Sequence, residues 1–566
     1  MTLNLLDKIG NWNPQLFREI KGRLKMGNIA IASALSLSGQ LLLFMCFKAE
    51  IPVAPPPGGY ISQITHKFCT SKVIVNAYAY KTICVRDALG NFAINWQYWW
   101  LELFVDLSIF SAIVLLVAGT YMLVSDLDKE ERRGTLNFIR LSPQSAKTIF
   151  LGKILSVPIL LYLAAILALP LHLYSGLAAQ IPLNEILCFY IAIVASCGLF
   201  YSAAMLFGLT TSWLGGFQPW LASATVLFLI TVAFNMHSQS DVTDLITFLS
   251  PAAVLKLSVI RVINPIVKNS YYELGWLAGS FDKVQWFGLP VGTKLALATT
   301  LNFSICATGT YWLWQGWQRR FPNPSATVLS KRQSYLLVVC CQAIFLGFAL
   351  RSNSTYYGNI GSLLFFNLLM FLALIAALTS DRQSLYDWAR YRKQIVPSER
   401  KLWRRDPLLD LIWSEKSPAI VAIAINCISL VIILTPLMLL QTSIAIAFVS
   451  VILSLNLILI YATIAQLFLL AKNRNQEIWA AGTVACAILL PPLILSMLSL
   501  TQEKAPFLWV ISTFVSFWFS YSIPVSENTI WLSILSQWTV LVLLNLKLRS
   551  HLKIAGESAS KALLNS

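Results

Sequence analysis

The chain has 566 residues, 57% hydrophobic and only 12% charged, with a mean hydropathy of +0.68. Soluble domains carry about 25% charged residues, so this composition excludes an ordinary soluble fold and indicates an integral membrane protein. The formal charge of +17 does not point to nucleic acid, because no basic patch is interleaved with aromatics on a soluble domain. In a polytopic chain such an excess reflects basic loops retained on the inner side.

Residues 1–27 are polar, which argues against a cleavable signal peptide. Within them NPQLFREIKGRLK (13–25) predicts an amphipathic helix. Asn13 is a favoured N-cap and Pro14 fits the first helical position. Leu16, Phe17, Ile20 and Leu24 form its apolar side, against Arg18, Lys21 and Lys25. Such a helix suits the inner interface, with the apolar side toward lipid.

A membrane span needs roughly 20 apolar residues. That criterion predicts spans near 28–47, 99–123, 154–174, 184–210, 218–236 and 288–316, then near 335–350, 360–379, 418–440, 445–470, 479–500, 508–523 and 530–546. The expected fold is all-α and polytopic, with about 12 transmembrane helices: six in the first half and six or seven in the second. Placing the N-terminus inside puts the basic segments 1–27, 124–153, 317–334, 380–417 and 471–478 inside as well, as the positive-inside rule requires. The loop 48–98 then faces outward. It holds Cys69 and Cys84, which would form a disulfide in an oxidising compartment. The four histidines show no metal-ligand spacing.

The second and third spans are joined by the most highly charged short stretch in the first third of the chain, KEERRGTLNFIRLSPQSAKTIFLGK (129–153). The second span continues through Asp126, Asp128, Glu130 and Glu131, and Gly134 ends it. Thr135–Leu141 forms a short helix, and Ser142-Pro143 reads as the N-cap and first turn of the next. The short helix carries Leu136, Phe138, Ile139 and Leu141. Each is worth roughly 1.5–3 kcal/mol when buried, so either the ends of the chain's own spans or a partner must cover them. Farther on, residues 241–263, broken by Pro251, read as a pair of half-helices dipping into the membrane or as a helix lying on its surface.

The elbow pattern E-x-x-x-G-T-L-x-x-x-x-x-S-P followed by I-x-x-G-K resembles the intracellular loop of ABC-2 type transporter permeases. It is carried by Glu130 or Glu131, Gly134, Thr135, Leu136, Ser142, Pro143, Ile149, Gly152 and Lys153. The segment 13–25 is similar to the connecting helix of such permeases, with Asn13, Pro14, Leu16, Arg18 and Glu19 in place. The resemblance implies a permease domain over 28–334, with 124–153 as a coupling loop docking on a separate ABC ATP-binding subunit. Glu130, Glu131, Arg132 and Arg133 would be rim charges, and Leu136, Phe138 and Ile139 buried anchors. It further implies export across a plasma (inner) membrane, powered by ATP bound on the partner, with no cofactor and no catalytic residue in this chain.

Phosphate-binding signatures are imitated only by GLPVGTKL (288–295) and SLSGQ (36–40), which have the wrong spacing or lie within a span. Glu102 and Asp106, four apart on the second span, support an alternative reading as an ion-coupled carrier. In residues 335–566, RDPLLDLIWSEKSPAIVAIAIN (405–426) echoes the N-terminal helix, and Gly482-Thr483 resembles Gly134-Thr135. The second half is then either a degenerate second permease domain, making a fused pseudo-dimer, or an accessory module on a permease that forms a homodimer. The basic loop 380–417 would attract anionic head groups of the bilayer.

Overall fold

The computed structural model describes residues 10–54, 66–76, 79–88, 90–238, 241–266, 279–350, 356–398, 407–440, 444–471, 476–514 and 526–555. Two compact units make up the chain, Met1–Trp317 and Gln318–Ser566. The first contains α1 (Pro14–Arg23), α2 (Met26–Ala49), a two-stranded antiparallel hairpin of β1 (Ser71–Asn76) and β2 (Ala79–Ile83), and the long helix α3 (Trp96–Arg132). Next come α4 (Thr135–Arg140), α5 (Ala146–Ser156), α6 (Ile159–Ala178), α7 (Leu183–Thr210) and α8 (Gln218–Asn235). A bent pair follows, α9 (Val242–Phe248) and α10 (Ala252–Ile266), and then α11 (Leu295–Arg320). The second unit holds α12 (Lys331–Ala349), α13 (Tyr356–Leu378), α14 (Arg382–Ser398), α15 (Pro407–Trp413), α16 (Ala419–Leu439), α17 (Ile444–Leu470), α18 (Gln476–Met497), α19 (Pro506–Ser512) and α20 (Glu527–Ala555).

Among the described residues eleven helices are long and apolar enough to cross a membrane, or twelve if the bent pair counts as one span. The expected polytopic all-helical fold is therefore borne out, with the small hairpin added in the loop after α2. Three boundaries differ from expectation. The third span starts only at Ile159, because Val157-Pro158 separates it from α5. The segment expected at 288–316 forms α11, which is 26 residues long but too polar to count among the eleven. Of the segment 508–523, α19 covers only the start and ends at Ser512, and residues 515–525 lie outside the described residues.

In the first unit α3 is central, packing against α6, α7 and α8, while α2 packs on α6 and α1 on α5. Ser36 and Gln40 join α2 to α6 through the carbonyls of Ala164 (2.8 Å) and Leu167 (3.4 Å). The span α3 contains a π-bulge at Val114–Ala118. A bulge disturbs the regular carbonyl pairing, and the buried Tyr201 hydroxyl of α7 donates to the Leu115 carbonyl at 2.7 Å. In the bent pair the helices meet at 91°. The carbonyls of Phe248 and Ser250 at the break accept from Asn302 Nδ2 on α11, at 2.6 and 3.0 Å.

Aromatic residues mark two levels along α3. At its start Trp96, Trp99 and Trp100 cluster with Phe44 and Phe47 of α2 and Tyr174 of α6. Farther along, Tyr121 meets Trp220 of α8 with ring centroids 5.1 Å apart. At 1.5 Å per residue, Trp99 and Tyr121 are separated by about 33 Å, close to the roughly 30 Å of a hydrocarbon core. Aromatic belts at both boundaries fit that spacing. The final eleven residues of α3, to Arg132, then extend about 16 Å beyond the second belt.

In the second unit α17 is central and packs against α13, α16, α18 and α20. Asn456 of α17 donates to Gln537 of α20 at 3.2 Å, a polar contact typical of helix pairs in lipid. The Gly482-Thr483 dipeptide lies inside α18, where the Thr483 hydroxyl bonds back to Trp479 O at 2.7 Å. The likeness to Gly134-Thr135 is thus corrected: no helix break occurs there.

A Cβ on Gly119 would overlap the Tyr201 ring, which is buried and held by its bond to Leu115 O. Gly119→Ala is expected to cost about 1–3 kcal/mol, read as an earlier unfolding transition of the detergent-solubilised protein. An unchanged transition would show that α3 and α7 are not closely packed there.

Candidate functional site: the elbow between α3 and α5

At the end of α3 the chain reverses at Gly134, whose φ of +72° is costly for any residue with a Cβ. Gly134 N–H donates to Glu131 O at 3.0 Å, and the Thr135 hydroxyl donates to Glu130 O at 3.1 Å. Both satisfy last-turn carbonyls, so Gly-Thr is a helix stop followed at once by a helix start. Ser142 departs from expectation. Its hydroxyl donates to Ile139 O at 2.7 Å and so closes α4, while Ser145 accepts from Thr148 N–H at 3.1 Å and caps α5. The N-cap expected at Ser142-Pro143 therefore lies three residues later. A hydroxyl can satisfy a preceding carbonyl or a following N–H, and local pattern does not choose between them.

On α4 the apolar side chains divide. Leu136 (1% exposed) and Ile139 (5%) are packed inside the first unit, whereas Phe138 (76%) and Leu141 (87%) stand in solvent. Of the three expected anchors Leu136, Phe138 and Ile139, only Phe138 is exposed, together with Leu141. Leu136 and Ile139 hold α4 to the chain itself.

Charge fixes the elbow from beneath. Lys153, fully buried, places Nζ 2.6 Å from Asp126 and 2.8 Å from Glu130. Asp126 also takes Arg23 of α1 at 2.5 Å, and Arg23 takes Glu19 at 3.3 Å. Asp126 and Glu130 stand four apart on α3, so both reach the same ammonium. At the other end of α1, Asn13 caps the helix by accepting from Leu16 N–H (3.0 Å) and donates to Thr148 O of α5 (2.8 Å). Gly152 allows this approach: a Cβ there would come within 3.1–3.2 Å of the Asn13 amide and Gln15 Cβ. Helix α1 is thus clamped to the elbow at both ends. Its Leu16 is buried against the protein rather than turned to lipid, which corrects the expected orientation of that side chain, while Pro14, Arg18 and Lys21 remain exposed. Trp317 on α11 adds a bond from its indole N–H to Ala146 O at 3.0 Å.

The four expected rim charges also divide. Glu130 faces Lys153. Arg132 binds Asp128 at 3.0 Å and lies where a Cβ on Gly216, before α8, would meet it. Glu131 and Arg133 are exposed. In the sequence Lys153 is only the last letter of the I-x-x-G-K pattern, with no role attached to it. The available signal was a single lysine inside the apolar run TIFLGKILSV, facing two acids spaced i, i+4.

The remaining candidates lie at the opposite end of the first unit. Cys69 and Cys84 form a disulfide, buried with Phe92. Lys67 bridges Glu50 (3.1 Å) and Glu102 (2.9 Å). Glu102 is therefore buried in an ion pair with Lys67, while Asp106, one turn farther along α3, is exposed. His172, absent from the expected sites, links three spans: its ring nitrogens lie 2.8 Å from Ser108 Oγ and 3.0 Å from Tyr190 Oη. Since Ser108 gives its hydrogen to Phe104 O, it accepts from His172 Nε2–H, which leaves Nδ1 to accept from Tyr190. Among the described residues no group of three or more His, Cys, Asp or Glu is arranged to hold a metal.

These features define a polytopic helical membrane protein with a rigid charged elbow standing beyond one end of its spans. No protein-family model, curated protein or solved structure matches the chain.

Lys153→Met leaves Glu130 without its cation and Asp126 with Arg23 alone, at a cost of about 3–5 kcal/mol. Faster tryptic cleavage at Arg132 and Arg133 is the expected readout, with Lys153→Arg intermediate; unchanged protection would mean the ion pairs do not hold the elbow. Cys69 and Cys84 should resist maleimide until the protein is reduced, and labelling of either in the unreduced protein would contradict the disulfide.

Proposed function

We propose that this chain is the membrane-spanning permease subunit of an ABC-2 type transporter, exporting substrate with ATP hydrolysed by a separate ATP-binding subunit. One observation carries the reading. The elbow presents Phe138 and Leu141 to solvent on a helix whose other side chains, Leu136 and Ile139, are buried, and the segments flanking it, the end of α3 and α5, are joined by the Lys153–Asp126 ion pair. A soluble protein surface that moves against those side chains would move α3, α5 and, through Arg23 and Asn13, α1. Because α1 leads directly into α2, displacement of the elbow would reach the first three spans together.

The orientation inferred from loop charge supports the same assignment, with the elbow in the cytoplasm and the disulfide loop outside. No catalytic residue or cofactor is assigned to this chain, since ATP would bind on the partner. Inside α18, Gly482-Thr483 makes no second elbow. Two copies of the chain would then supply the two elbows that a pair of ATP-binding subunits requires, with residues 335–566 an accessory membrane module. An ion-coupled carrier built on Glu102 and Asp106 is less well supported, because Lys67 already occupies Glu102.

The test is ATP hydrolysis by the reconstituted complex. Phe138→Asp should abolish substrate-stimulated hydrolysis while leaving the membrane subunit folded, since Phe138 packs in no core. Transport driven by an ion gradient without ATP would overturn the assignment in favour of the carrier.

A further inference from the structure

Three helices of the second unit meet at one junction. Leu385 of α14, Leu470 at the end of α17 and Leu548 near the end of α20 form one buried cluster, against which Leu552 also packs. The Tyr386 hydroxyl of α14 donates to Leu470 O at 3.4 Å. The last turns of α20 are thereby brought to the face that carries α14, far apart as the two helices are in the chain.

The junction gathers bases that the sequence keeps apart. On α14, Arg382 lies one turn before Tyr386, its guanidinium 5.0 Å from that ring, and Arg390 is exposed. On α20, Lys547 and Arg549 flank Leu548 and Lys553 follows Leu552, all three bases exposed. Along either helix no base is more than about 8 Å of rise from a residue of the junction. Among the described residues none of the five forms an ion pair. Against them stand Asp381, half-buried, and Asp387, which accepts from Gln383 at 3.2 Å. Depth is fixed by α20 itself. Its exposed apolar side chains run from Trp531 to Leu546, and Lys547 comes next. Bases at the end of such a run lie where hydrocarbon gives way to headgroups.

We propose that α14 and the end of α20 together form a binding site for anionic phospholipid. Leu546, Arg549 and Lys553 are spaced i, i+3, i+7 and share one stripe of α20. An acyl chain lying against Leu546 therefore leaves its phosphate beside Arg549 and Lys553, while Arg382 and Arg390 of α14 add guanidinium groups suited to phosphate oxygens. The sequence assigns attraction for head groups to the loop 380–417 alone; the fold adds α20 and makes the feature composite. An acidic protein segment would suit the same charges, but the level of the bases at the end of a lipid-facing run favours lipid.

The experiment uses the full-length chain in nanodiscs of phosphatidylcholine and phosphatidylglycerol at about 4:1, with a photoactivatable phosphatidylglycerol or phosphatidylcholine as probe. Phosphatidylglycerol adducts on residues 382–390 and 547–553 should exceed phosphatidylcholine adducts about tenfold and fall as salt is raised. Lys547→Gln with Arg549→Gln and Lys553→Gln should lose most of that preference, and so should Arg382→Gln with Arg390→Gln, whereas Lys547→Arg with Lys553→Arg should keep it. Equal labelling by the two lipids would overturn the proposal, as would a preference lost with one helix's bases but untouched by the other's. In sealed vesicles an impermeant maleimide should label Gln383→Cys and Ser550→Cys from the same side; labelling from opposite sides would remove the junction on which the site depends.

Discussion

Everything at one end of the first unit depends on where Lys153 sits. A fully buried ammonium is tolerable only with carboxylates within hydrogen-bond distance, and Asp126 and Glu130 meet that need from successive turns of α3. The pairing fixes the direction of α5 relative to α3, and so the reach of the elbow between them. It also leaves an oxygen of Asp126 for Arg23, which brings α1 into the same unit. Remove the lysine, and α5 loses its ionic tie to α3, while α1 keeps Arg23 on Asp126.

The elbow is accordingly a braced segment rather than a loose loop. Its length is set by the eleven residues of α3 beyond Tyr121, its reversal by the positive φ of Gly134, and its inner face by Leu136 and Ile139. Only its outer face is left uncommitted. Opposite in position, the disulfide and the Glu50–Lys67–Glu102 bridge tie the loop after α2 to the start of α3. Both ends of α3 are therefore anchored, while its middle carries a π-bulge closed by Tyr201.

Much of this was legible in the chain. The Asn13-Pro14 start, the Gly134 stop, the cysteine pair and most spans follow from capping preference, backbone freedom and hydrophobic length. What the chain did not reveal is which neighbour each group chooses. Four apolar residues on the six-residue α4 and its cap cannot share one face, because Phe138 lies about 200° around the helix from Leu136; periodicity does not say which pair turns inward. The apolar stripe of α1 was evident, but whether lipid or α5 covers Leu16 depends on Gly152, more than a hundred residues away. Likewise Gly482-Thr483 matches Gly134-Thr135 in letters, yet its neighbours continue a helix. Glu130 resembled a surface charge until Lys153 was placed beside it.

The most direct measurement of the central claim is photo-crosslinking in intact membranes, with a benzophenone amino acid placed at Phe138 of the full-length chain. The account predicts one dominant adduct, with an ABC ATP-binding subunit, whose yield changes when ATP is added. Adducts confined to lipid or to the chain itself, unchanged by ATP, would contradict it.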